Sequence, residues 1–322
     1  MPTTRRQFLS FTAATPLALG ATPLWAQSAP LSVVATTGMI ADAARQIGGE
    51  HVSVKGLMGP GVDPHSYRQT RSDIVALTRA DVVLWHGLYL EAQMEELLLK
   101  LTDRGRVVAV GEAVPQAERI AHEDYEGRYD PHVWMVPELW AHVVREVTAA
   151  LVAAAPDHAE TFEANAGQHL IEVARLGDYA RGVLETVPEP ARVLLTAHDA
   201  FGYFGRAYGY EVVGIQGIST ESEAGLDRIR TLVDMLVSRE IGAVFVESSV
   251  SDRNIRALVE GAAAEGHEVK IGGELFSDAM GEPGTYEGTY IGMIDHNATT
   301  IAGALGGSVP PRGMDGRLAA GS

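Results

Sequence analysis

A chain of 322 residues exceeds the roughly 250–300 at which one hydrophobic core stops growing, so two domains are expected. Hydrophobic residues at 46% and charged residues at 21% describe a folded, water-facing protein and exclude a disordered chain and a membrane-embedded body. Acidic residues outnumber basic ones by 42 to 25, which repels nucleic acid and anionic lipid and draws cations, while the lack of cysteine removes disulfides, thiolate nucleophiles, Cys-type zinc sites and a cysteine-borne lipid anchor together.

The first segment reads as an address. Thr4-Arg5-Arg6-Gln7-Phe8-Leu9-Ser10 precedes a small, weakly apolar stretch from Phe11 to Gly20, in the manner of a twin-arginine export signal. Leu24-Trp25-Ala26 offers a small residue for cleavage before Gln27. An ordinary secretory signal that carries two arginines is the alternative, and both routes lead beyond the inner membrane. The apolar run is too short to span a bilayer, and no other stretch reaches about 18 consecutive apolar residues. Residues 1–26 are therefore set apart from the fold.

Beyond them, short β-rich runs alternate with helical patterns, as parallel strands with crossover helices require. The expected strands are 31–36, 51–55, 81–85 and 106–110, then 192–196, 211–215, 243–246 and 268–271. Four and four predict two α/β lobes, residues 27–156 and 188–322, the second ending in a short tail. Between them Phe162, Ala166, His169, Leu170, Val173, Leu176, Ala180, Val183, Leu184 and Val187 recur at helical spacing. Asp157 and Glu160 follow Pro156 at capping-box spacing and Pro188 stops the pattern, which defines a linking segment over 157–187. As one helix of about 30 residues it would reach ~45 Å and hold the lobes stiffly. The alternative is two helices broken near Gly167 or Gly177. The fold class is α/β: two lobes, each a four-stranded mainly parallel sheet with flanking helices, joined by a long rigid helix.

Ligands of open α/β sheets sit outside the carboxyl ends of the strands. Four notable groups fall there: His65 closes Gly59-Pro-Gly-Val-Asp-Pro-His65 after the second strand, and His132 closes Asp130-Pro131-His132 after the fourth. His198 follows the fifth strand, and Asp278 comes shortly after the last. Imidazole and carboxylate are the groups that bind zinc or manganese in a protein without cysteine. Each lobe supplies two, so closing the cleft would complete one coordination sphere. Proline holds each histidine of the repeated Asp-Pro-His on a stiff loop, although the repeat alone leaves metal binding and coincidence equally open.

At these residues the chain resembles the metal-specific solute-binding proteins that serve ABC importers of zinc, manganese and iron. The matching stretches are Thr36-Thr-Gly-Met-Ile-Ala41, Gly56-Leu-Met-Gly-Pro-Gly-Val-Asp-Pro-His65, Asp130-Pro-His-Val-Trp134 and Thr196-Ala-His-Asp-Ala-Phe-Gly-Tyr-Phe204. They continue through Gly217-Ile-Ser-Thr-Glu-Ser-Glu-Ala-Gly225 and Gly272-Gly-Glu-Leu-Phe-Ser-Asp278 to Gly284-Thr-Tyr286 and Asn297. The resemblance spans essentially the whole mature chain. It implies a receptor rather than an enzyme, a divalent transition metal as transported ligand (zinc or manganese, with iron a further candidate) and an ABC permease in the inner membrane as partner. It also implies a periplasmic monomer with no nucleic-acid partner. Carried over position by position, it makes His65 and His132 the ligands of the first lobe. His198, at the family's His-or-Glu position, and Asp278, at its Asp position, are those of the second. The family's zinc receptors often carry a long His-rich loop before the second ligand. Here residues 112–129 hold only His122 among Glu118, Glu123, Asp124 and Glu126, so that loop is missing.

The other ionisable residues have plainer readings. His86, after the third strand, reads as a structural residue near the cleft. His51, His142, His158, His169, His267 and His296 lack partners at ligand spacing and read as surface or supporting groups. Asp295-His296 lies in a helical pattern and reads as a solvated face. Glu247, ending a strand on the cleft side, is a candidate for orienting an imidazole. Two rival functions remain. A metallohydrolase would use the same groups to activate water, but four protein ligands close the position catalysis needs, and neither His-Glu-x-x-His nor Gly-x-Ser-x-Gly occurs. A surface adhesin is the second, a role some relatives also have.

Overall fold

The computed structural model describes residues 29–102, 106–122 and 125–319. The export-signal reading of residues 1–26 lies outside them. The first lobe runs β1 (Leu31–Ala35), α1 (Gly38–Gly48), β2 (Val52–Gly56), α2 (Arg71–Arg79), β3 (Val82–Trp85), α3 (Glu95–Thr102), β4 (Arg106–Ala109) and α4 (Pro137–Ala154). Its strands pair in parallel in the order β2-β1-β3-β4. Crossover helices cover both faces of such a sheet, which is why β3 reads as the unbroken apolar run Val82-Val83-Leu84-Trp85 and is buried throughout.

The linking helix α5 (Ala159–Leu184) is continuous over 26 residues, through Gly167 and Gly177, and so spans ~39 Å. The expected capping box is not made. A three-ten turn at Pro156–His158 takes up Asp157 and leads into the helix, and the N-cap residue His158 makes no side-chain capping bond. One face of α5 buries Phe162, Ala166, Val173, Leu176, Ala180 and Leu184 against α1 and α4.

After α5 come β5 (Val193–Thr196), α6 (Gly202–Tyr208), β6 (Glu211–Gly214), α7 (Leu226–Ser238), β7 (Ala243–Glu247), α8 (Arg253–Ala264), β8 (Lys270–Leu275) and α9 (Tyr290–Ala304). β5 pairs with β6 and β7 with β8, all parallel, and β5 lies alongside β7. The spatial order β6-β5-β7-β8 therefore repeats that of the first lobe. Among the described residues, the expected four-stranded second sheet consists of two hydrogen-bonded pairs set side by side. The last strand also runs further than the apolar pattern suggested, to Leu275, because the pattern stops at Gly272-Gly273. Gly273, at φ +154°, carries the strand past an irregular register opposite β7, and any side chain there would run into Thr300 on α9.

Helix α5 also packs on α9, so one apolar core runs from β1 and β3 through α5 to Tyr290, Met293 and Ile294. Trp140 of α4 stacks on Tyr290 with ring centroids 4.9 Å apart. The two lobes thus share their largest core, and their mutual orientation is set by packing rather than by a flexible joint. No described helix is long and apolar enough to cross a membrane.

The solvated-face reading of Asp295 and His296 is corrected by this packing. Asp295 and His296 are buried, because α9 is covered by α5, by β8 against His296 and by the C-terminal segment at Met314 against Asp295. Asp295 accepts from the Tyr286 hydroxyl (3.0 Å), the Thr299 hydroxyl (3.1 Å) and the Met314 N–H (3.0 Å), while His296 Nε2 meets the Glu274 carbonyl at 2.8 Å. His169 is buried on the inner face of α5. His51 and His158 do sit partly exposed, stacked at 4.0 Å where α5 begins.

Candidate metal centre

Local turns place His65 and His132, while hydrogen bonds from residues distant in sequence complete the placement of His198 and Asp278. In the loop after β2, Asp63 Oδ1 accepts the His65 N–H at 2.9 Å, and in the segment before α4, Asp130 Oδ1 accepts the His132 N–H at 2.9 Å. The repeated Asp-Pro-His is therefore one local fold used twice. An aspartate turns back on the N–H two residues on, and proline stiffens the link. His198 lies two residues past β5, where the Thr196 hydroxyl donates to its carbonyl (2.7 Å) and Glu247 Oε1 accepts its N–H (2.8 Å). Asp278 lies three residues past β8. Asn297 of α9 grips Phe276 through both its N–H (2.9 Å) and its carbonyl (2.7 Å), and Trp134 Nε1 of the first lobe donates to the Ser277 carbonyl (2.8 Å).

The structure brings all four together, and each is 2% exposed or less. His132 Nε2 stands 3.3 Å from His65 Nε2, 3.3 Å from His198 Nε2 and 3.3 Å from Asp278 Oδ1. Asp278 Oδ2 stands 3.3 Å from His198 Nε2 and 3.9 Å from His65 Nε2. Donors about 2.0–2.1 Å from a tetrahedral ion are ~3.3–3.4 Å from one another, so the spacing fits a single ion at the centre. Asp278 also turns both oxygens inward, which accommodates a fifth bond.

The electrostatics call for a cation. The ring Nδ1 of His132 is held by Asp130 (2.7 Å) and that of His198 by Glu247 (2.6 Å). A neutral imidazole whose Nδ1–H is so committed presents a lone pair at Nε2. Lone pairs and a carboxylate then face one another in a buried space, and neither Asp278 oxygen has a hydrogen-bond partner. Without a metal the cluster takes up protons. Burial would lower the His132 imidazole, but the carboxylates of Asp130 and Asp278 outweigh it and hold it up at about 9. His198 is likewise raised well above the usual range, burial being overcome by Glu247 and Asp278. Burial alone would raise the Asp278 carboxyl, yet His198 and His132 keep it well below the ordinary carboxylate range. His65, further from Asp278, is driven down to about 3 by burial.

Around the cluster, Glu247 stands where sequence placed it. His86 is buried with Nε2 on the Pro131 carbonyl (2.7 Å) and its ring edge-on to Trp134 at 5.0 Å, so it buttresses the His132 loop. His122 packs on Tyr125 and is not among the four. Sequence reasoning missed Asp130 as the orienter of His132, although it sits in the motif itself. It also missed Asn297 and Trp134 as the clamps on the Asp278 loop, and for these no spacing rule exists. Glu91 was missed too. Its buried carboxyl accepts from Thr36 (2.6 Å) and from the N–H groups of His86 (2.7 Å) and Gly87 (3.1 Å), joining the carboxyl ends of β1 and β3, and burial pushes it up to about 7.

Two α/β lobes on a helical spine, with a buried three-histidine, one-aspartate cluster drawn from both, define a cleft-type solute-binding protein built for a cation. The chain belongs to the ZnuA family, described as the periplasmic component A of the zinc-uptake complex, which matches residues 33–304. It is 51% identical over 276 residues to the manganese-binding lipoprotein MntA of Bacillus subtilis (strain 168), covering 85% of this chain and 90% of that one. It is 46% identical over 288 residues to the zinc-binding protein TroA of Treponema pallidum (strain Nichols), covering 89% and 92%. The solved structure of that periplasmic zinc-binding protein superposes with a TM-score of 0.84 over 86% of this chain and 99% of that one, at 46% identity. The manganese ABC transporter substrate-binding lipoprotein PsaA of Streptococcus anginosus is 28% identical over 281 residues, covering 85% and 89%.

Proposed function

We propose that this chain captures one divalent transition metal, zinc or manganese, with His65, His132, His198 and Asp278, and delivers it to an ABC permease in the inner membrane. The observation that carries this reading is the convergence of three imidazole Nε2 atoms and both Asp278 oxygens at the spacing of donors around one ion. Relatives named for manganese and for zinc, at 51% and 46% identity, support the same pair of metals. The chain acts as a monomeric receptor and not as a metallohydrolase, since four protein groups occupy the positions a catalytic metal would share with water. It works in the periplasm, after export through the twin-arginine signal at Arg5-Arg6, a route that takes folded proteins and would permit metal loading before export.

The direct test is elemental analysis of the untagged mature protein isolated from its native periplasm without chelators. About one equivalent of zinc or manganese per chain is expected, and a preparation free of transition metal that also fails to take up either ion would overturn the reading.

A further inference from the structure

The carboxylates that hold the three histidines are not used alike. Asp130 Oδ1 takes both the N–H (2.9 Å) and the ring Nδ1–H (2.7 Å) of His132, and Glu247 takes both groups of His198 (2.8 and 2.6 Å). Asp63 Oδ1 takes the N–H of His65 at 2.9 Å, but its Oδ2 accepts the hydroxyl of Thr220 at 2.7 Å and that of Ser66 at 2.8 Å. Thr220 lies between β6 and α7, in the other lobe. One carboxylate thus folds the His65 loop and ties it across the cleft. Beside it, Gln93 of the first lobe meets Glu221 of the second, an exposed contact over the same gap.

The His132 loop is joined to the second lobe differently. Trp134 Nε1 donates to the Ser277 carbonyl (2.8 Å), and the Tyr203 hydroxyl donates to the Asp130 carbonyl (2.8 Å). Those bonds are buried and flanked by the shared core. Asp63 and Thr220 are half-buried at the rim.

We propose that the Asp63–Thr220 hydrogen bond is the latch of the cleft, a positioning contact that keeps the His65 loop seated on the opposite lobe and so sets how long bound metal is retained. The proposal rests on the ligand assignment above. Thr220 is not one of the four clustered groups and acts only through Asp63, so removing its hydroxyl leaves all four donors in place and frees the loop that delivers one of them. Dissociation should quicken while the coordination of bound metal stays the same. Differences among variants of one binding site generally fall on the dissociation rate.

The experiment uses the mature chain, residues 27–322, loaded with zinc, and follows metal loss into excess chelator by stopped flow. Cobalt loaded into the same proteins reports coordination through its visible absorption. Thr220→Val should release zinc about tenfold faster, the order expected for a hydrogen bond to a charged group, with cobalt bands matching wild type. Thr220→Ser should restore the wild-type rate, and Asp63→Asn, a poorer acceptor, should also speed release. Release from Thr220→Val at the wild-type rate, no rescue by serine, or altered cobalt bands would each overturn the latch alone. A wild-type chain that takes up neither zinc nor cobalt would overturn the latch together with the ligand assignment.

Discussion

Glu247 holds His198 at two points, accepting its backbone N–H at Oε1 (2.8 Å) and its ring Nδ1–H at Oε2 (2.6 Å). The ring can neither rotate nor change tautomer without losing one of them. Glu247→Gln keeps the shape but replaces one oxygen with an NH₂ group. The backbone N–H claims the remaining oxygen, so the amide NH₂ faces Nδ1 and drives the ring proton to Nε2, where metal would bind. Zinc affinity should fall about 10–100-fold, the usual effect of losing such a partner. Chelator competition at neutral pH measures it, and an unchanged affinity would remove Glu247 from this role.

Loss of a clustered group should cost more than loss of its partner. His132→Ala and His198→Ala, one from each lobe, are each expected to weaken binding beyond the roughly 10–100-fold of an outer partner. Titration calorimetry decides it, and normal zinc and manganese affinity in either variant would take that histidine out of the site.

The metal preference follows from the donor set. Three imidazoles and a carboxylate suit zinc, and manganese lies at the bottom of the divalent affinity series, so the mature metal-free chain should bind zinc more tightly than manganese. Asp278→Asn removes the charge and the second anionic oxygen, and manganese should lose more from that than zinc. Competition of both metals against one chelator reads both effects. Tighter manganese binding by wild type would mean that lobe geometry overrides ligand preference.

In the proposed site protons and metal would compete for the same nitrogens. Free imidazole at about 6.5 predicts weakening of affinity between pH 7 and 5. With His132 raised to about 9 in the metal-free fold, affinity should keep rising up to pH 9. The same shift has the opposite sign for stability without metal. The His132 imidazolium contributes stability that is fully present below about pH 6.5 and is lost as pH rises through about 9. Calorimetric melting in metal-buffered solution should therefore show the gap between loaded and metal-free transitions widening from pH 6.5 to 9. A constant gap would contradict the picture of a protonated metal-free cluster.

Gly167 lies exposed inside α5, and a methyl group there would meet nothing within 4 Å. Gly167→Ala should stabilise the fold by up to about 1 kcal/mol, the helix-propensity difference between the two residues. Because α5 belongs to the core both lobes share, the gain should appear as a shift of one cooperative unfolding transition in denaturant. Separate transitions for the two lobes would show that the common core does not couple them.

What could be read from the chain alone was whatever local geometry encodes. Apolar runs marked the strands, with the last one cut short by Gly272-Gly273. The helical repeat from Phe162 to Val187 marked α5, which ends three residues earlier at Leu184. Each Asp-Pro-His announced a stiff loop that holds its histidine, because proline fixes φ and biases its predecessor toward extended geometry. The topological rule for open sheets then put His65, His132, His198 and Asp278 at the same end of their lobes.

Only tertiary packing decided that their donor atoms meet at 3.3 Å, since this depends on two sheets oriented by α5 and α9. It alone chose Glu247 for His198 across 49 positions and sent Asp63 to Thr220 rather than to the ring of His65. It alone buried Asp295 and His296, whose spacing suits a solvated face. Helical periodicity tells which residues share a face. It does not tell how many faces the rest of the chain will cover, and α9 is covered on more than one.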